Sequence, residues 1–91
     1  MIYLCNLPDC YSLTPEGTFR AVEPTDAAVA AAIIPGCEDL SAISSTRTTG
    51  SARELRYDEF AERDRPLNPL GSQFAGRPIF GTIVVMPLVA S

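Results

Sequence analysis

The sequence predicts an α+β domain: a small, mostly antiparallel sheet with one main helix packed on it. Short apolar or β-branched runs, punctuated by Pro and Gly, recur along the chain and read as strands. One alanine-rich run reads as a helix. The 91 residues suffice for a single domain spanning 1–91, and a hydrophobic fraction of 46% against 20% charged favours a folded globule over a disordered tail.

The elements follow in the order β-β-α-β-β-α-β, with the second helix short. Residues 2–7, "IYLCNL", read as the first strand, ended by Pro8. "TPEG" at 14–17 is a turn: Pro15 presets φ at the second position and Gly17 suits the fourth. "TFRAVE" reads as a second strand, with Phe19 and Ala21 on one face and Arg20 and Val22 on the other, hairpinned to the first through a long loop. In "PTDAAVAAAIIPG", Thr25 is the expected N-cap and Asp26 sits in the first turn, where negative charge suits the helix dipole. Val29 and Ile33 share its buried face, and Pro35 and Gly36 stop it.

"DLSAISSTRTTGSARELRYDEF" reads as two more strands turning at Thr49-Gly50, with Leu55 and Tyr57 alternating against Glu54, Arg56 and Asp58. The Ser/Thr cluster at 44–49 reads as a polar strand end and loop. In "NPLGSQFAG", Asn68 caps a short helix, Pro69 takes its first position and Gly76 closes it. "RPIFGTIVVMPLV" is a strand apolar on both faces, so it belongs in the sheet interior, with Gly81 as a bulge or close backbone approach.

Composition removes whole classes of chemistry. The chain has no histidine, and its seven basic residues are all arginine. No Ser-His-Asp or Cys-His arrangement can form within it, no His-ligated zinc site and no lysine Schiff base. An enzyme built on it would use carboxylates, the Cys10 thiol or the acids at 58–64, so the expectation leans away from catalysis. The net charge of −4 disfavours nucleic-acid binding, since no basic surplus displaces counterions. Three cysteines, Cys5, Cys10 and Cys37, form no C-x-x-C pair and read as ordinary thiols of a reducing compartment. No apolar run approaches the ~20 residues that span a bilayer as a helix. The expected location is cytoplasmic.

Two motifs invite a sharper reading. Gly71 and Gly76 are separated by four residues, the spacing of a phosphate-binding loop. Arg77 then stands where that loop needs lysine, Pro78 stands where it needs a hydroxyl, and a strand follows the glycines instead of preceding them. Asp58, Glu59, Glu62 and Asp64 gather four carboxylates, but without the order of a calcium loop and with Arg63 and Arg65 interleaved. Solvated ion pairs account for them, and neither metal nor cofactor is expected.

The stretch "LRYDEF…PLNPLGSQFAGRPIFGTIVV" resembles an uncharacterised domain family carried by phages, plasmids and other mobile elements. Asp58, Glu59, Leu67, Asn68 and Gly81 occupy the matching positions, and the likeness covers residues 53–86. Gly71-Ser72 stands where family members often carry Ala and Thr. The resemblance implies a context, a small accessory gene that counters host defence, and no activity.

The leading expectation is therefore a non-enzymatic protein of a phage or mobile element that binds a host protein, or itself as a homo-oligomer. Tyr57, Phe60 and Tyr11, with Tyr3, are candidate interface aromatics, and Asp58 and Glu59 flank them. The alternative is a sequestering protein for a small anionic ligand such as a nucleotide signal, with Arg47, Arg53, Arg56 and Arg77 converging on its phosphates.

Overall fold

A computed structural model describes residues 10–37, 43–47 and 53–87. Five strands form one sheet: β1 (Tyr11–Leu13), β2 (Phe19–Ala21), β3 (Ser44–Arg47), β4 (Arg53–Tyr57) and β5 (Ile83–Pro87). Their spatial order is β2-β1-β5-β4-β3, and every neighbouring pair is antiparallel. Helix α1 (Asp26–Ile33) follows β2, and helix α2 (Pro69–Ala75) precedes β5, with a 3-10 turn at Ala61–Arg63 before it. This is the expected α+β architecture with a small antiparallel sheet.

The strand at residues 2–7 and the turn at Thr49-Gly50 lie outside the described residues. Within them, the hairpin partner of β2 is Tyr11–Leu13, a segment expected to be loop. The reason is the turn between them. Gly17 N–H donates to the Thr14 carbonyl at 2.9 Å and Thr14 N–H to the Thr18 carbonyl at 3.0 Å, so the chain reverses tightly and pairs at once on either side. The "TPEG" turn itself forms as read, and it replaces the long loop.

The helix caps also form as read. Thr25 Oγ1 accepts from Ala28 N–H at 3.2 Å, and Asn68 Oδ1 accepts from Gly71 N–H at 2.9 Å. Gly76 ends α2 in the left-handed region at φ 74°, which glycine enters without a Cβ penalty.

Each face of the sheet carries one helix. Val29, Ala30 and Ile33 of α1 pack with Val84 of β5, Cys10 and Ile43. Leu70, Phe74 and Ala75 of α2 pack on the opposite face, against Tyr11, Leu13, Leu55, Tyr57, Ile83 and Val85. The sequence anticipated a single packed helix, but α2 presents Leu70 and Phe74 four residues apart, which is enough to cover the second face. Strand β5 is apolar on both sides because both are covered: Ile83, Val84 and Val85 are all fully buried.

The glycine pair at phosphate-loop spacing has a packing explanation. A Cβ on Gly71 would come within 2.7 Å of Ile83 Cδ1 and 3.1 Å of the Asn68 side chain. Its absence lets α2 approach the sheet.

Candidate functional site

Four of the residues flagged in the sequence, Tyr57, Asp58, Glu59 and Arg77, meet at the end of the sheet where β4 leaves for the 3-10 turn. Tyr57 is the last residue of β4, and alternation along the strand turns its ring with Leu55 into the core below α2. The turn at Gly76 sets the following residue, Arg77, beside that ring. Its Nη2 donates to the Tyr57 hydroxyl, and its guanidinium carbon lies 5.1 Å from the ring centroid. Tyr57, Asp58, Glu59 and Arg77, with Pro78, Ile79 and Phe80, line an open hollow of about 230 Å³.

Two large apolar side chains, those of Phe60 and Leu67, stand exposed near this hollow among charged neighbours. Asp58 Oδ1 accepts from Phe60 N–H at 3.0 Å, a local side-chain turn that carries Phe60 to the outside. Phe60 is 57% exposed, and the Arg63 guanidinium lies 5.5 Å from its ring centroid. Leu67, 46% exposed, bridges to Phe80, which lines the hollow. Ala61 and Arg65 pack close to Gly81, holding the segment after Phe60 against the entry to β5.

The structure therefore brings together Tyr57, Asp58, Glu59 and Arg77, with Phe60 next to them in the chain. Tyr11 is placed elsewhere: it is 6% exposed in the core under α2, its ring 5.3 Å from that of Phe19. Tyr11 and Tyr57 serve the core, and the exposed ring at this corner is that of Phe60. Tyr3 lies outside the described residues.

The four arginines do not converge on one hollow in this chain. Arg53 and Arg56 differ by an odd number of positions on β4, so they project from opposite faces. Arg56 shares the α1 face with Glu54, its Nε 3.2 Å from Glu54 Oε2 in an ion pair and its Nη2 donating to Glu54 Oε1 at 3.4 Å. Arg47 is exposed at the end of the outer strand β3, in register with Glu54. Arg53 shares a face with Tyr57 but sits four residues away, a distance of roughly 13 Å along a strand.

Burial pushes the Cys10 thiol above its ordinary value, away from the thiolate form that attacks electrophiles. Burial likewise raises the Tyr11 phenol, partly opposed by the positive charge of Arg53. Neither Cys10 nor Cys37 is disulfide-bonded among the described residues.

The sequence did not single out Pro78 and Phe80 as site residues. Their signal lay in "RPIFG", read there only as the entry to a strand. Gly81, at φ 79°, breaks that strand and leaves Phe80 to line the hollow.

Comparison of the chain with protein-family models, curated proteins and solved structures gives no match.

Proposed function

We propose that this is a non-enzymatic binding protein of a phage or mobile element, acting on a host protein as a host-defence antagonist, and that its partner docks on the corner formed by Phe60, Leu67 and the Tyr57–Arg77 hollow. One observation carries the placement: Phe60, next in the chain to Glu59 of the hollow, and Leu67, bridged to Phe80 of the hollow, leave large apolar side chains in water. Burying each on a partner is worth roughly 1–2 kcal/mol, because each is already part-covered.

The hollow favours a protein partner over a small molecule. At about 230 Å³ it falls below the ~300–1,000 Å³ of ordinary ligand pockets. Its polar groups are partly occupied, with Arg77 on Tyr57 and Asp58 on the Phe60 amide. Aromatic and arginine side chains of this kind are the usual anchors of protein interfaces.

The test is affinity capture from host-cell lysate with the wild-type chain and with a Phe60→Asp, Leu67→Asp double variant. One stoichiometric protein held by the wild type and lost by the variant, with both chains equally folded by circular dichroism, supports the reading. Equal capture by the two chains overturns the placement. Turnover of a metabolite by purified protein overturns the non-enzymatic assignment.

A further inference from the structure

We propose that the protein carries a second site, separate from the corner around Phe60: a hydroxyl-lined hollow at the β2-β1-β5 end of the sheet that binds the phosphoryl group of a small molecule through Arg20. The register places its residues. Ser12 pairs with Arg20 on one side and with Val84 on the other, so all three project from the α1 face. Thr14, Thr18 and Thr82 keep the same alternation at the adjoining strand ends. Helix α1 packs over Val84, and Ala32 and Val22 form the wall where its cover stops. What remains is a hollow of about 330 Å³, lined by one guanidinium and four hydroxyls, of which that of Ser12 already donates to the Arg20 carbonyl at 3.4 Å.

Three properties favour an oxyanion. No carboxylate lines the hollow. The Arg20 side chain, exposed on β2, has no hydrogen bond or ion pair among the described residues, so its planar fork stands open for two oxygens. The Thr14 hydroxyl accepts from Thr18 N–H at 3.0 Å, which leaves its own proton to donate, and Thr82 has no side-chain partner among the described residues. A tetrahedral phosphoryl group uses a guanidinium fork and neighbouring hydroxyl donors at once. The volume lies at the low end of the ~300–1,000 Å³ range for ligand sites, which limits the rest of the molecule to a small one. The arginine concerned is Arg20, and not one of the four the sequence singled out.

Titration of the isotope-labelled chain by amide NMR, at constant ionic strength, tests this. Inorganic phosphate is expected to cause saturable shifts at Ser12, Thr14, Thr18, Arg20 and Thr82 that matched sodium chloride does not. Adenosine monophosphate in a second arm separates recognition of the free anion from recognition of a phosphomonoester: equal binding means the phosphoryl group alone is read, and tighter binding means the hollow also reads what carries it. Arg20→Gln, at an exposed position, should weaken binding roughly tenfold or more. Thr82→Val should weaken it by a smaller factor, and the Phe60→Asp, Leu67→Asp variant should bind as the wild type does. Absence of saturable shifts with both probes overturns the site. So do equal shifts in chloride, or unchanged affinity in Arg20→Gln.

Discussion

The side-chain amide of Asn68 donates to the main-chain carbonyl of Leu13 at 2.9 Å, joining residues 55 positions apart. The same nitrogen donates to the Gly81 carbonyl at 2.9 Å, and the side-chain oxygen accepts from Gly71 N–H. Asn68 is fully buried. One side chain therefore caps α2, ties off the end of β1 and fixes the backbone just ahead of β5. Both amide donors and one acceptor site of its side chain face protein groups that have no water to replace it.

Asn68→Ala should destabilise the fold by about 3 kcal/mol or more in urea unfolding, because two carbonyls and one N–H lose their partner in the interior. Asn68→Asp separates the two roles. It keeps the acceptor that caps α2 but sets carboxylate oxygen against the carbonyls of Leu13 and Gly81, so at neutral pH it should be no more stable than the alanine variant. A loss of only about 1 kcal/mol in both, the ordinary value for an N-cap, would show that the clamp contributes little.

Gly71→Ala tests the close approach of α2 to β5. Alanine favours a helix by about 1 kcal/mol over glycine, yet its methyl would meet Ile83 Cδ1 at 2.7 Å in a core with no slack. Overpacking should win, for a net loss of about 1–2 kcal/mol. Ile83→Val removes the opposing methyl and should cost about 1 kcal/mol alone. The double variant should be more stable than the sum of the two losses implies, and strict additivity in thermal or urea unfolding would count against steric contact.

These two sites show what the sequence made legible. The caps at Thr25 and Asn68, the stop at Gly76 and the "TPEG" turn are local chemistry, and each stands where its residues put it. The strand Tyr11–Leu13 was not legible, because three residues are too few to show alternation. The second covered face was missed because Leu70 and Phe74 give only one apolar pair. At the candidate site, the 20 positions that separate Tyr57 from Arg77 hide their contact. Alternation of Leu55 and Tyr57 already implied that the tyrosine turns inward, and that local rule proved a better guide than the general fondness of interfaces for tyrosine.

Tyr57 and Arg77 should show measurable coupling. A double-mutant cycle of Tyr57→Phe and Arg77→Gln is expected to give about 0.5–1 kcal/mol, modest because Arg77 is exposed. Arg77→Lys should not restore it in full, since an ammonium lacks the planar stacking surface. Zero coupling would remove the contact from the energetics of the site.

Alkaline pH should weaken the fold through two buried groups. The Cys10 and Tyr11 values are raised on folding, so the unfolded chain loses each proton at lower pH than the folded one. Their contribution is complete below the ordinary values of 9.0 and 10.0, and is lost as pH rises through the raised ones. Urea midpoints measured from about pH 8 to pH 11 should fall, and the fall should be shallower in Cys10→Ala and Tyr11→Phe than in the wild type. Identical slopes in all three chains would place the alkaline loss at other groups.

The middle place of β5 sets a timetable for the nascent chain. Its neighbours, the β1-β2 and β3-β4 hairpins, precede it in the chain, yet they are not paired with each other in the finished sheet. Until residues 83–87 emerge, each hairpin offers a bare inner border to any extended peptide nearby. Closure of the sheet thus waits for β5, the keystone that shuts both borders at once.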